Sequence, residues 1–222
     1  MKPLTVFIIA LLLSSAVTAQ FKLNGMVTGF PDSTLIYLDD LTDGSFTHLD
    51  STYIINGKFS FTGKLSASPL RAAIRTKDIA YRCYVWLENS TMDFTGDKND
   101  FRNAVLKGSK TQLEADEFNA SVKTAKNRRE AEYSYVRTHP NSIISANILN
   151  VYSSTWGKDT SEMLYKSFTD QVKQTYYGKQ VYDYIMLVKN IKVGDAYVDF
   201  SQPDTKGRTR KLSDYKGKVV LL

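Results

Sequence analysis

The 222-residue chain has a single cysteine, two histidines and five prolines. With Cys83 alone, no intrachain disulfide can form, so stability has to come from buried apolar surface. His48 and His139 fall in different segments, and with one cysteine they cannot assemble a His/Cys metal set. His139 precedes Pro140 at a helix end and His48 lies in an alternating strand, so both read as structural or surface residues. Long apolar runs are also missing. The one at the start, from Leu4 to Leu13, is about half the roughly 20 residues that span a bilayer. No Gly-x-Ser-x-Gly elbow, Walker loop or Gly-x-Gly-x-x-Gly loop occurs, and the carboxylates are too dispersed to nominate a glycosidase pair.

Met1-Lys2-Pro3, the short apolar run and Ser14-Ser15-Ala16-Val17-Thr18-Ala19 match a secretory signal peptide cleaved after Ala19, leaving Gln20 as the first mature residue. No cysteine follows Ala19, which argues against a lipoprotein. The sequence thus predicts export, with no membrane span after cleavage. The formal charge of +6, or +5 once Lys2 leaves, is scattered apart from Lys126-Asn127-Arg128-Arg129 and Lys206-Gly207-Arg208-Thr209-Arg210-Lys211. Runs of this size are solvated faces or turns, and an exported chain rarely meets nucleic acid, so nucleic acid is not expected as a partner.

Aromatic residues are abundant, with fourteen Tyr and eleven Phe, which suits strands and half-buried sheet faces. From Phe21 to Lys110 short alternating segments are separated by turn residues. Strands are expected at Phe21 to Gly25, Thr34 to Leu38, Pro69 to Arg75, Tyr81 to Leu87, Thr91 to Phe94 and Val105-Leu106. Tyr53-Ile54-Ile55-Asn56-Gly57-Lys58-Phe59-Ser60-Phe61 predicts a hairpin, because Asn-Gly supplies both positive-φ positions of a type I′ turn. About seven strands at this spacing predict an antiparallel β-sandwich in preference to a partly open barrel.

The chain changes class at Thr111-Gln112-Leu113-Glu114, a capping box that opens a helix carrying Leu113, Phe118, Val122 and Ala125 and ending before Pro140. Asn141 or Ser142 caps a second helix with Ile143, Ile144, Ile148, Leu149 and Tyr152. Asp159-Thr160-Ser161-Glu162 starts a third with Leu164, Tyr165, Phe168 and Val172, Gly178 breaks the chain, and a last helix bears Val181, Ile185 and Val188. The expected fold class is therefore α+β. Its parts are a signal peptide at 1–19, a β-sandwich at 20–110, a helical segment at 111–190 and a short remainder at 191–222. The closing run Gly217-Lys218-Val219-Val220-Leu221-Leu222 reads as the opening of a buried strand, so a fragment of a longer protein is expected.

Chemistry-bearing candidates are few. Cys83 shares a strand face with Val85 and Leu87 and reads as a small core residue, not a reactive thiol. Asp39-Asp40 with Asp43 can be weighed as calcium ligands, but an acidic turn is the commoner meaning. Trp86 with Tyr84 can stack on a sugar, against which stands ordinary sheet packing. The sequons Asn89-Ser90-Thr91 and Asn119-Ala120-Ser121 matter only in a eukaryotic source. No catalytic residue, no cofactor-binding residue, no metal site and no cofactor is assigned.

Val193-Gly194-Asp195-Ala196-Tyr197-Val198-Asp199-Phe200, Gly207 and Leu212-Ser213-Asp214-Tyr215-Lys216-Gly217-Lys218-Val219-Val220-Leu221-Leu222 closely resemble the entry into thioredoxin-like domains. The members concerned are secreted thiol-disulfide oxidoreductases and the alkyl hydroperoxide reductase/thiol-specific antioxidant superfamily. There a Trp-Cys-x-x-Cys motif follows a few residues later, beyond Leu222, and Tyr197-Val198 replaces the usual Ala-Pro. Without such cysteines this stretch cannot perform disulfide exchange. Upstream, Leu23-Asn24-Gly25, Ile36-Tyr37-Leu38, Leu49-Asp50-Ser51, Asn56-Gly57-Lys58-Phe59-Ser60-Phe61, Leu87-Glu88-Asn89 and Lys107-Gly108-Ser109 resemble domain of unknown function 4369, often found before such modules in bacterial envelope proteins. His139-Pro140-Asn141-Ser142 and Tyr177-Gly178-Lys179 recur in the helical part of similar proteins.

The resemblance implies a periplasmic or outer-envelope location and a role as the accessory N-terminal region of a thiol-disulfide oxidoreductase. The partner is then an envelope protein or the chain's own redox domain. The alternative is a non-catalytic envelope binding or dimerisation module, for which a homo-oligomer is the expected assembly.

Overall fold

The computed structural model describes residues 20–187, 197 and 199–220. The expected signal peptide, Val188 and part of the thioredoxin-like resemblance lie outside the described residues. Eight strands precede the helices: β1 (Phe21–Thr28), β2 (Leu35–Asp40), β3 (Thr47–Tyr53), β4 (Lys58–Gly63), β5 (Leu70–Thr76), β6 (Arg82–Leu87), β7 (Thr91–Asp97) and β8 (Val105–Lys107). They form two four-stranded sheets of order β4-β1-β7-β8 and β3-β2-β5-β6. Alternation decides what is buried: β1 hides Phe21, Leu23, Gly25 and Val27 while Lys22, Met26 and Thr28 face outward. The inward faces of both sheets feed one apolar cluster, with Leu23, Phe61, Met92 and Phe94 from the first and Ile36, Leu38, Ile74 and Leu87 from the second. Each such side chain contributes about 1.5–3 kcal/mol when fully buried.

The expected all-antiparallel arrangement needs correction. β1 runs parallel to β7, pairing Lys22 with Thr91 through Thr28 with Asp97, while it is antiparallel to β4. Asn24 donates to Asp93 from 69 residues away. A parallel neighbour requires a long crossover, and the chain makes it through the whole second sheet.

The Asn56-Gly57 turn forms with φ of 50° and 71°, as the dipeptide predicts. Its flanks do not pair as a hairpin, however. β3 and β4 belong to different sheets, and only the bridge between Ile55 and Lys58 joins them across the turn. Ile54, fully buried, exchanges backbone hydrogen bonds with Ser33 and Thr34, and Val27 N–H donates to Gly57 carbonyl at 2.7 Å. The turn is thus a corner that carries the chain from one sheet to the other.

Six helices follow: α1 (Lys110–Thr124), α2 (Arg128–Thr138), α3 (Ile143–Trp156), α4 (Lys158–Ser167), α5 (Asp170–Lys173) and α6 (Tyr176–Leu187). Of the two expected cap candidates, Asn141 and Ser142, it is Ser142 that caps α3. The cap of α1 is Ser109, which accepts from Gln112 N–H, because Thr111 is taken by Glu88. Leu113 points to solvent, and Ala115 takes its place beside Phe118 and Val122. The single helix expected up to His139 is two, since Asn127 caps a new start at Glu130 N–H. Likewise α4 begins at Gly157 without a side-chain cap, and Val172 belongs to the separate α5. Gly178 does not break the chain. It sits buried in the first turn of α6, where a Cβ would stand 2.3 Å from the Val172 carbonyl oxygen.

The helices share a second cluster that includes Phe118, Val136, Leu149, Leu164, Val181 and Ile185, and one strand residue, Trp86, belongs to it. Farther on, β9 (Ser201–Pro203) pairs antiparallel with β10 (Thr209–Lys211), and a 3-10 turn covers Leu212–Tyr215. The fold is thus mixed α and β with several sheets. Among the described residues no helix is long and apolar enough to cross a membrane.

Candidate functional site

The outward face of the β3-β2-β5-β6 sheet carries most of the functional-looking side chains. Strand register sets Tyr37 opposite Arg75, Asp39 opposite Ala73, and Arg71 opposite Trp86. One half of this face lies open. There Asp39 is fully buried beneath Arg75, whose Nε donates to Asp39 Oδ2, and His48 Nδ1 stands 3.5 Å from Asp39 Oδ1. The Arg75 guanidinium stacks over the rings of Tyr37 at 4.6 Å and Phe46 at 5.5 Å.

The other half is covered by helices. Trp86 N–H donates to Gln112 Oε1 at 2.8 Å, which satisfies part of the β6 edge with a helix side chain. The Trp86 ring meets Tyr177 edge to face. Beside this junction opens a cleft of about 430 Å³ between the sheet and the helices, lined by Ser68, Arg71, Thr111, Glu114, Asn141 and Tyr177 among others.

Each of those side chains has a local reason for its position. Arg71 is outward by strand alternation. Thr111 is fixed because its N–H and Oγ1 both donate to Glu88 Oε1, at 2.8 and 2.6 Å. Burial alone would raise the Glu88 carboxyl, but these bonds, with Lys110 helping, hold it below the usual carboxylate range. Glu114 Oε1 accepts from Tyr135 Oη at 2.7 Å, and burial with this acidic neighbour pushes the Tyr135 phenol up. Tyr177 is 3% exposed, and its buried hydroxyl makes no hydrogen bond of regular geometry among the described residues. Burial pushes its pKa up to about 12, with the nearby Arg71 charge opposing the rise and Asp40 adding to it. No carboxylate of the described residues forms an ion pair with Arg71.

The residues weighed from sequence lie apart from this cleft or serve other ends. Cys83 is buried, its Sγ facing the Ala104 carbonyl, and burial pushes the thiol up to about 11. His48 caps the Asp39–Arg75 pair, while His139 closes α2 and stacks on Tyr135 at 4.1 Å. The acidic trio does not converge: Asp39 pairs with Arg75, Asp40 accepts from Thr42 N–H and Asp43 from Ser45 N–H. Among the described residues no three His, Cys, Asp or Glu side chains group to hold a metal ion. Trp86 packs inward on the helices while Tyr84 stays exposed, so the two do not form a stacking platform. Arg71 and Tyr177 were not legible as a pair. The only linear signal is a charge inside the apolar run Leu70-Arg71-Ala72-Ala73-Ile74, and nothing in sequence ties it to a tyrosine in the last helix.

The class the fold defines is a two-sheet β unit backed by a helical layer. Residues 21–115 match the family described as Domain of unknown function (DUF4369), so this stretch, from β1 into the first turns of α1, is a DUF4369 domain. No curated protein and no solved structure matches the chain.

Proposed function

We propose that residues 20–190 form the exported accessory region of a bacterial envelope thiol-disulfide oxidoreductase. In this reading the two sheets are a β-sandwich, the helices back it, and residues 191–222 open a thioredoxin-like domain. The site of action is the periplasm or outer envelope, and the partner is the redox domain or another envelope protein. One observation carries the reading. The two halves of the C-terminal resemblance meet in space: Ser213 N–H and Oγ both donate to Asp199, each at 2.8 Å, across the hairpin whose Gly207 has φ 74°. Asp-Phe, the glycine hairpin and Leu-Ser-Asp-Tyr thereby form one local unit, which supports reading them together as the start of such a domain. The test is disulfide reduction by the full gene product with and without residues 20–190. The reading expects substrate selectivity or rate to fall on removal, and an unchanged profile contradicts it.

A second reading, a non-catalytic binding module, is favoured by the cleft beside Trp86, where Arg71 and the Tyr177 hydroxyl are both left without a carboxylate or regular hydrogen-bond partner. Saturable binding of an envelope peptide or glycan to this chain supports it, and flat titrations across both classes count against it. Dimerisation through the exposed sheet face belongs to the same alternative and predicts a concentration-dependent mass.

A further inference from the structure

A buried polar atom without a partner is costly, and native folds keep one where a ligand or a functional contact completes it. Tyr177 is such a case: its hydroxyl is enclosed, its residue lines the cleft, and it makes no hydrogen bond of regular geometry among the described residues, with Arg71 the side chain that bears on it. Arg71 stands at the same floor with no anionic partner in ion-pair range, although a half-buried guanidinium offers five donors in a planar fork that matches a carboxylate. The remaining charged groups limit what can enter. Asp40, occupied by Thr42 N–H at 2.7 Å, bears electrostatically on Tyr177, and Glu114 forms part of the wall. Two acids repel a second anionic group but welcome hydrogen-bond donors or a cation. Thr111 and Asn141 add short polar contacts. The volume of about 430 Å³ suits a small ligand.

We propose that this cleft binds a monocarboxylate whose remainder donates hydrogen bonds, an amino acid or the C-terminal end of a peptide, with Arg71 and the Tyr177 hydroxyl holding the carboxylate and Glu114 facing the donor end. The inference rests on the binding-module reading and narrows it to one chemistry.

Isothermal titration of the chain with free alanine, with the tripeptide Ala-Ala-Ala and with N-acetylalanine amide as a neutral control tests it. One of the two carboxylates should bind saturably, and which one does identifies the source, while the amide should give no heat. Arg71→Met should abolish binding, and Tyr177→Phe should weaken it about tenfold, the loss of one hydrogen bond to a charged group. Tyr177→Phe should also leave Tm unchanged or raised, because the hydroxyl it removes makes no hydrogen bond of regular geometry among the described residues. Binding of the amide as strongly as the acid overturns the proposal, as does full affinity in Arg71→Met. Flat carboxylate titrations alongside saturable binding of a neutral oligosaccharide overturn the carboxylate assignment and leave the binding reading standing. Flat titrations throughout overturn both.

Discussion

Trp86 of β6 and Tyr177 of α6 meet edge to face with ring centroids 5.9 Å apart, and this contact ties the helical layer to the sheet. Trp86 is the strand residue that enters the helical cluster, so its loss opens the junction where the cleft lies. Trp86→Ala is expected to cost about 3–5 kcal/mol. Chemical denaturation should show the helical signal melting ahead of the β core, and a single transition with unchanged midpoint contradicts this.

Gly178→Ala sets two effects of opposite sign against each other. Helix propensity alone favours Ala by about 1 kcal/mol. Here the new Cβ would meet backbone, at 2.3 Å from the Val172 carbonyl and 2.8 Å from Lys173 Cα, and backbone cannot swing aside. Overpacking of this kind costs about 1–3 kcal/mol, so the variant should be less stable by denaturant midpoint.

Asp39 is a buried acid whose partner Arg75 is itself largely covered. Asp39→Ala strands the guanidinium and should cost about 3 kcal/mol. Replacing His48, which is half exposed, should cost far less. Equal losses at the two positions would show that His48 and not Arg75 sustains the buried carboxylate.

Cys83, with its thiol pushed up to about 11, should resist alkylation at pH 8 in the folded protein and react fully once denatured. Rapid labelling of the native chain contradicts its place in the core.

Glu88 links stability to pH. Its folded pKa lies below its unfolded value, so its contribution is present above the ordinary carboxylate range and is lost as pH falls through the lowered folded pKa. Glu88→Gln should flatten the acid limb of the stability curve, measured by urea midpoints from neutral pH downward. It should also loosen the start of α1, since Thr111 donates to Glu88 twice.

Much of the fold was legible because local rules act locally. Alternation in Lys58-Phe59-Ser60-Phe61 fixed which face is inside, Asn56-Gly57 named its turn, and Asn141-Ser142 marked a helix start to within one residue. What escaped was decided by partners distant in sequence. Whether the residues after Asn56-Gly57 return along β3 or cross to β1 depends on Val27 and Thr34, and the parallel β1–β7 ladder joins residues 69 apart. Thr111 looked like a cap and is instead claimed by Glu88, and Gly178 looked like a breaker because its close approach to α5 has no linear signature. The Arg71–Tyr177 floor of the cleft escaped for the same reason.

The central claim is that this chain is the accessory region of an envelope thiol-disulfide oxidoreductase, and reading the codons that follow Leu222 tests it most directly. The account predicts a Cys-x-x-Cys pair within the next few dozen codons, in frame with Gly217-Lys218-Val219-Val220-Leu221-Leu222. A stop codon, or a continuing reading frame without such a pair or a single peroxidatic cysteine, would contradict it and leave the cleft's binding role as the function to pursue.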